Sequence, residues 1–520
     1  MGPLGKNERD WRLGKASYAT FRPGTADERS AEFSGFLSPD NDFSSKTNVD
    51  QSGASQGSDL PMQINETNVA PSPELVREIK DHRAERDEKL LNSDSWIERK
   101  GHTLTYAGLF LFTFTLYFRP YELIPGMSGF TSMAFIVAIA TLLIYLPTQI
   151  VSEGRITALP VEVKCVLFIA FWALATVPFA TDPGVAWDAF NEHLSKVAII
   201  FVIMVNTLRT PARMKGLMWL GIGVGAMLSY EAVMLYRAGQ FAVEGYRVKV
   251  DFGGMFGNPN DMATHLLIFT PISIALGIAT KNKIAKLVYF VSAGLLVGGL
   301  LVTQSRGGIL GLLAASIVLS WKLGKGNRLK VIVIAGTVVA IVLLLAPGNL
   351  SQRVMSIFIP SLDPVGSSTQ RQNLLTQSII VSLRNPFGIG IGNFPIVGSR
   401  NLVTHNAYTQ VSAELGWFAF LAYLILLVSP LRKLSALQRK TFGRGEHEWV
   451  YHASIGVYAG IAGYMVSSFF ASIAFNWYVY FPIAYAICLR RIYQLQESRN
   501  VKLETVALQS SSSAGVSGAW

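Results

Sequence analysis

The chain has 520 residues, of which 50% are hydrophobic and only 15% are charged, and its 45 Lys and Arg outnumber 34 Asp and Glu. Soluble proteins carry about 25% charged residues, so this composition excludes an ordinary soluble enzyme and favours a protein that crosses a membrane many times. The Lys and Arg flank apolar stretches and do not cluster on a soluble domain, so no nucleic-acid partner is expected. The two cysteines, Cys165 and Cys488, lie in apolar segments, which excludes a disulfide-built extracellular domain.

The two ends of the chain differ from its apolar middle. Residues 1–98 are rich in Ser, Asn, Asp, Glu and Gly, and such a composition predicts a polar, disordered cytoplasmic tail. A short charged helix is expected around residues 73–92. The N-terminus lacks a basic start followed by an apolar run, so it is not expected to be a secretory signal. Residues 493–520 are predicted to be a flexible cytoplasmic tail, which leaves 99–492 as the membrane domain.

Apolar stretches of membrane length fill this central region. Apolar spans are predicted to be helices, because a helix satisfies its own backbone polar groups in lipid. We therefore predict an all-α integral membrane fold with twelve transmembrane helices, at residues 104–120, 130–150, 163–181, 195–208, 214–236, 261–280, 285–303, 307–321, 330–346, 406–429, 453–474 and 477–490. One set of connecting segments carries roughly twice as many Lys and Arg as the other, which places both termini in the cytoplasm.

Two of the predicted outward connections are long. They span residues 237–260 and 347–405, and long structured loops are usually functional. The second loop, between predicted helices nine and ten, contains residues 371–384, with apolar side chains at 375, 379, 380 and 383. This spacing is typical of an amphipathic helix, and we expect it to lie flat on the outer membrane surface.

Cations and polar side chains gather at the predicted outward ends of the helices. Arg306 lies in TQSRGG at 303–308, Arg371 opens the amphipathic helix, and His405 begins the tenth predicted helix. Two guanidinium groups can bind a diphosphate bidentately, and a neutral imidazole can accept a proton from a sugar hydroxyl. Positioned arginines would also stabilise the charge that grows on a departing diphosphate. These residues are therefore expected to converge in one cavity that serves a transfer reaction with a lipid diphosphate leaving group.

Each of these residues also has a purely structural interpretation. A single arginine at a membrane edge can extend to lipid headgroups, and a lone interfacial histidine is more often structural than catalytic. The run from Asn258 to Asp261 (NPND) is typical of a helix start, with an Asn cap, an early Pro and an acidic first turn. The outward loops contain no Asp-x-Asp pair or His/Asp cluster with metal-ligand spacing, so no metal or other cofactor is expected.

Four segments together resemble the signature of the O-antigen ligase and polymerase superfamily: GMFGNPNDMA (254–263), TQSRGG (303–308), RNPFGIGIGNF (384–394, preceded by Arg371) and HNAYTQVSAELG (405–416). The resemblance covers roughly residues 104–492 and is strongest over 254–416. It implies an inner-membrane glycosyltransferase that takes a glycan from undecaprenyl diphosphate on the periplasmic side and transfers it with inversion. The acceptor would be lipid A-core, a growing polysaccharide or a protein, and membrane lipids would surround the enzyme.

The resemblance also implies roles for single residues. Arg306 and Arg371 would bind the diphosphate, and His405 would be the base or would position the acceptor hydroxyl. Five other residues are expected to bind substrate: Arg247, Asn258, Asn260, Asn406 and Glu414. A buried polar anchor is an equally good interpretation of Glu414.

Two other classes of function remain open at this point. A polysaccharide or lipid-linked-sugar transporter or flippase would place ionisable groups near the bilayer midplane, where the exceptions here are Glu231, His265 and Glu414. A non-enzymatic membrane assembly factor would need no convergent set of Arg, Arg and His.

Overall fold

The computed structural model describes residues 102–118, 133–241, 247–250, 256–324, 329, 333, 367–398 and 401–516. These ranges contain fifteen α-helices and no β-strand. In chain order they are α1 (His102–Phe118), α2 (Met133–Glu153), α3 (Val161–Thr176), α4 (Pro183–Ala189), α5 (Ser195–Thr207), α6 (Pro211–Arg237), α7 (Pro259–Ala279), α8 (Lys283–Val302), α9 (Arg306–Leu323), α10 (Ser367–Arg384), α11 (Phe394–Val397), α12 (Ala407–Glu414), α13 (Gly416–Thr441), α14 (Glu448–Ser467) and α15 (Trp477–Val516).

The all-α membrane fold is confirmed in outline. Eight segments of the described chain are long and apolar enough to cross a membrane, and they correspond to predicted helices two, three, five to eight, ten and eleven. Predicted helices one, four and twelve are present as α1, α5 and α15, and the first two have only 17 and 13 residues. The predicted helix at 330–346 and the tail at 1–98 lie outside the described residues, apart from residue 333. The total of twelve therefore stays a prediction.

The C-terminal boundary differs from the expected one. The last predicted span ends at residue 490, whereas α15 runs from Trp477 to Val516. The expected start of the flexible tail at residue 493 therefore falls within a continuous helix.

Helix α7 forms the centre of the bundle, and most of its side chains are buried against α6, α8, α9 and α14. Glycines allow α14 to approach it closely. A Cβ atom added at Gly456 or Gly460 would lie 2.9 Å from the carbonyl oxygens of Pro271 and Ile268 respectively. Small residues at such positions let membrane helices pack backbone to backbone.

A second close approach joins α9 to α14. A Cβ atom at Gly311 or Gly463 would lie 2.8 Å from the other glycine's carbonyl oxygen. Since α9 begins at Arg306 and Phe470 follows α14, this packing fixes the relative position of two residues that recur in the candidate site.

The predicted tenth helix, 406–429, is instead two helices. Helix α12 ends at Glu414, and α13 starts at Gly416, whose φ of 78° lies in the left-handed region that favours glycine. The loop that follows α10 lies directly on this break, where Trp417 N–H donates to the Pro386 carbonyl at 2.9 Å. A Cβ atom at Gly416 would collide with that same carbonyl oxygen. The break thus depends on a contact distant in sequence.

Helix α10 confirms the predicted amphipathic helix over 371–384. Leu374 is buried in a small core with Ile389 and Phe394, so α10 is fixed to the rest of the molecule through one face. Three of its four predicted apolar positions, at residues 379, 380 and 383, are 42–64% exposed. An exposed apolar face is typical of a helix that contacts lipid, and its place on the outer surface remains a prediction.

Candidate functional site

A cavity of about 210 Å³ lies where α9, α10, α12 and the turn after α14 meet. Its lining residues are Arg306, Arg371, Gln372, Leu375, Thr404, His405, Asn406, Phe469 and Phe470. The structure therefore brings together the three residues expected to be catalytic, although they are far apart in sequence.

Arg306 is the first residue of α9 and is buried. Ser305 caps this helix, since its side chain accepts from Gly308 N–H at 3.3 Å. A side chain at Gly307 would crowd Phe470, with 2.9 Å between the two Cβ atoms, so only glycine permits this approach. The position at a helix N-terminus adds the positive end of the helix dipole to the guanidinium charge. The sequence RGG thus supplies both a cation and the space around it.

Arg247 and Asn260 do not line the cavity but hydrogen-bond to the turn that precedes Arg306. The Asn260 Oδ1 accepts from Arg247 Nη2 at 2.9 Å and from the hydroxyl of Ser305 at 2.8 Å. Arg247 Nε also donates to the carbonyl of Thr303 at 3.1 Å. This network ties the start of α7 to the turn that carries Arg306, so both residues are placed to position the site.

Asn258 and Glu414, also expected to bind substrate, lie outside the cavity lining. Asn258 caps α7 by accepting from Asn260 N–H at 2.9 Å, as the NPND pattern predicted. Glu414 is 3% exposed, and its carboxylate accepts from Gly392 N–H at 3.0 Å. This contact is that of a buried anchor, which holds the loop after α10 against α12.

The backbone at His405 is strained. Its φ of 54° lies in the left-handed region, which residues other than glycine rarely adopt. The hydroxyl of Ser472 accepts from His405 N–H at 2.7 Å and lies 2.8 Å from the hydroxyl of Thr404. Strain of this kind persists where surrounding contacts enforce it, and it concentrates at functional sites. Ser472 was not anticipated from the sequence, because no local motif marks a partner 67 residues away.

The environment of His405 favours its neutral form. Burial, together with the positive charge of Arg371, lowers the pKa of the His405 imidazole from 6.5 to about 4. At neutral pH the ring is therefore uncharged and can accept a proton. A bound anion would act in the opposite direction, because it stabilises the imidazolium.

The amide oxygen of Asn406 has hydrogen-bond partners, whereas its amide nitrogen has none among the described residues. Its Oδ1 caps α12 by accepting from Tyr408 N–H at 2.9 Å and Thr409 N–H at 3.1 Å. The residue is 2% exposed, and its Nδ2 has no hydrogen-bond partner among the described residues. An unpaired buried donor costs about 1–3 kcal/mol, so a ligand that accepts from it would recover that energy. The amide is a candidate contact for a ligand oxygen in the cavity.

An apolar groove adjoins the polar cavity. Its volume is about 410 Å³, and it is lined by Tyr408, Met465, Val466, Phe469 and Phe470. Phe469 and Phe470 line both spaces. The site therefore combines a cationic compartment with a continuous apolar surface.

No carboxylate belongs to the described lining of the cavity. In the described part of the chain, Glu446, His447 and Glu497 come close enough to hold a metal ion. Glu446 and His447 lie directly before α14, at the opposite end from Phe470, and Glu497 lies on α15, where Arg444 already donates to it at 3.1 Å.

Residues 291–424 match the family model described as O-antigen ligase. No curated protein matches the chain. The matched segment contains Arg306, Arg371 and His405, which meet in the cavity. This segment is therefore an O-antigen ligase-like domain, which supports a relationship to the O-antigen ligase superfamily.

Proposed function

We propose that the protein is a membrane glycosyltransferase that moves a glycan from undecaprenyl diphosphate to an acceptor, with inversion and without a metal ion. The observation that carries this proposal is the meeting of Arg306, Arg371 and a neutral His405 in one cavity, inside the family-matched segment. The two arginines lie on different helices, so together they can bind a diphosphate from two directions.

The arginines would act mainly in the transition state. As the bond between the anomeric carbon and the phosphate oxygen breaks, the electron pair leaves with the diphosphate and its negative charge grows. Arg306 and Arg371 stabilise this charge more than that of the ground state, and such differential stabilisation lowers the barrier.

His405 would accept the proton of the acceptor hydroxyl as that oxygen attacks the anomeric carbon. Attack from the face opposite the leaving group inverts the configuration. The imidazolium that forms lies beside Arg371, an unfavourable arrangement until the departing diphosphate supplies compensating negative charge. Proton transfer is thereby coupled to departure of the leaving group.

Two features of the site support undecaprenyl diphosphate as the donor and a reaction that uses no metal ion. The groove formed by Tyr408, Met465, Val466, Phe469 and Phe470 offers apolar surface for the first isoprene units of a polyprenyl carrier. The lining holds guanidinium groups where a metal-dependent enzyme would hold carboxylates, so the arginines supply the positive charge.

The proposed location is the bacterial inner membrane, with both termini in the cytoplasm and the cavity on the periplasmic side. The distribution of Lys and Arg supports this orientation. The acceptor is lipid A-core, a growing polysaccharide or a protein.

His265 bears on the alternative of a transporter or flippase. Its ring centroid lies 5.3 Å from that of Tyr117 and 5.3 Å from that of Phe256, and its Nε2 lies 3.1 Å from the Gly221 carbonyl oxygen. A histidine enclosed by aromatic rings is a packed core residue and offers no polar path, which favours the transferase.

The proposal is tested by measuring glycan transfer from the lipid-linked donor in membranes that contain each variant. His405→Ala, Arg306→Ala and Arg371→Ala should each reduce transfer by about 100-fold or more. Arg384→Ala is the matched control for Arg371→Ala, because Arg384 is exposed at the other end of α10. His452→Ala, at a partly exposed histidine on α14 that does not line the cavity, controls for loss of an imidazole. Transfer retained by the three site variants at normal expression would refute the mechanism.

Deletion of the gene identifies the acceptor. Loss of polymer from lipopolysaccharide, from secreted polysaccharide or from a glycoprotein would assign the acceptor to that class.

A further inference from the structure

A second, larger cavity lies at the opposite end of the helix bundle. Its volume is about 800 Å³, and the cations that line it are Arg155, Lys440, Arg490 and Arg491. Arg490 lies on α15 roughly 20 Å beyond Trp477, at a rise of about 1.5 Å per residue. The positive-inside pattern predicts that this end faces the cytoplasm.

Two buried carboxylates beneath this cavity already have their counterions. Both Glu153 and Glu162 have fully buried side chains. Glu153 pairs with Arg209 at 2.6 Å, with Arg491, and with Arg155 at 3.7 Å. Three positive charges therefore surround the single negative charge of Glu153.

Glu162 repeats this pattern. It pairs with Lys433 at 2.9 Å and with Arg490 at 3.2 Å, and it accepts from the Ser429 hydroxyl at 3.0 Å. Three cations surround Glu153 and two surround Glu162, so five positive charges pair with two negative ones. The lining also holds Lys440 and one carboxylate, Glu497, which pairs with Arg444 at 3.1 Å.

Four of the cations, Arg155, Lys440, Arg490 and Arg491, line the cavity. Arg491 uses Nη2 for Glu153, while its Nη1 is buried without a hydrogen-bond partner among the described residues. Arg155 is 47% exposed along its side chain, and Lys440 is exposed at the rim. Positive charge concentrated in a concave site attracts and holds anions.

The lining also contains apolar side chains. Leu159, Ile487 and Leu495 lie in the same cavity as the arginines. Guanidinium groups bind phosphate oxygens in pairs, and basic pockets between membrane helices are suited to phosphorylated headgroups.

We propose that this cavity binds the phosphate groups of an anionic ligand, either the headgroup of an anionic phospholipid or a soluble polyphosphate. Arg490, Arg491 and Arg155 contact the phosphate oxygens, and Lys440 closes the rim. The site is separate from the transfer cavity, and its occupancy does not depend on the proposed transferase activity.

The test uses the full-length protein in phosphatidylcholine nanodiscs at constant ionic strength. One arm raises the mole fraction of cardiolipin, the other adds sodium pyrophosphate, and thermal unfolding is followed by intrinsic fluorescence. The variant Arg155→Gln/Lys440→Gln removes two cavity charges and leaves Arg209 and Arg491 on Glu153. The matched control is Arg432→Gln/Arg439→Gln, which removes two exposed charges of α13 that do not line the cavity.

The wild-type protein should be stabilised by at least one of the two probes. The cavity variant should need about tenfold more of that probe for half the maximal stabilisation, and the control should change less than about twofold. Ser498→Asp, which places a negative charge in the lining without removing an ion pair, should weaken binding in the same way.

The two arms separate the sources of the phosphate. Stabilisation by cardiolipin alone assigns a lipid headgroup, and stabilisation by pyrophosphate in discs of phosphatidylcholine alone assigns a soluble ligand. No stabilisation by either probe, or an equal loss in the cavity variant and the control, would overturn the proposal.

Discussion

Two substitutions of Asn406 test its Oδ1 and its Nδ2 separately. In Asn406→Ser the hydroxyl can still cap α12, whereas the Nδ2 donor of the cavity is lost. In Asn406→Ala both the cap and the donor are lost. The pair of variants therefore distinguishes a structural role from contact with substrate.

The expected magnitudes follow from the contacts. Oδ1 receives hydrogen bonds from two backbone N–H groups, at 2.9 and 3.1 Å, and replacing such a cap by Ala costs about 1 kcal/mol of folding stability, while Ser is nearly neutral. A hydrogen bond from Nδ2 to a charged diphosphate oxygen is worth about 1.5–3 kcal/mol, which corresponds to a loss of about 10- to 150-fold in transfer. Asn406→Ser should thus be at least as stable as wild type, because it also removes the unpaired buried donor, and at least tenfold slower.

A matched control exists at the start of α8. Asn282 caps that helix with the same geometry, accepting from Ile284 N–H at 2.9 Å and Ala285 N–H at 3.1 Å, but it is exposed and does not line the cavity. Asn282→Ala should lose about 1 kcal/mol of stability with no change in transfer.

The assays are kcat/KM for transfer from the lipid-linked donor and thermal unfolding in detergent. Wild-type transfer by Asn406→Ser, with a defect in Asn406→Ala matched only by its lower stability, would show that the amide does not touch substrate.

Three other predictions concern protonation and backbone packing. Arg371→Gln removes a positive neighbour of His405, which raises the pKa of that imidazole from about 4, so the acid limb of the kcat/KM profile should move to higher pH; an unmoved limb would assign it to another group. Gly416→Ala should lower the free energy of unfolding by about 3 kcal/mol or more, because backbone strain at positive φ and a clash with the Pro386 carbonyl combine. The control Gly443→Ala, at φ 75° with open space around it, should lower the free energy of unfolding by only about 1 kcal/mol. Equal losses in the two variants would contradict the clash. Gly311→Ala should lower both thermal stability and transfer, since it separates α9 from α14 beneath the cavity; unchanged transfer at reduced stability would mean that this packing does not position the site.

Local patterns were sufficient for the helices and for the principal residues of the site. Apolar stretches predicted the membrane helices, and the spacing of residues 375–383 predicted α10, because both depend on composition and neighbours within a few turns. The motifs around Arg306, Arg371 and His405 singled out side chains that line one cavity. The cap by Asn258 was equally predictable, since a helix cap involves only adjacent residues.

Contacts between distant segments decided the remaining features. The break between α12 and α13 exists because the loop after α10 lies on Gly416, and periodicity alone favoured one continuous helix. Arg247 and Asn260, which were expected to bind substrate, bond to each other and to the turn before Arg306, and no local motif records these contacts.

The sequence by itself determined a polytopic helical protein and the chemical groups available to it, because apolarity, charge and short motifs are properties of neighbouring residues. Only the tertiary structure decided that Ser472 holds His405 and that Arg491 meets Glu153, residues 338 positions apart. Such contacts arise when helices pack side by side, and helix packing depends on the shape of whole surfaces, which no local spacing records.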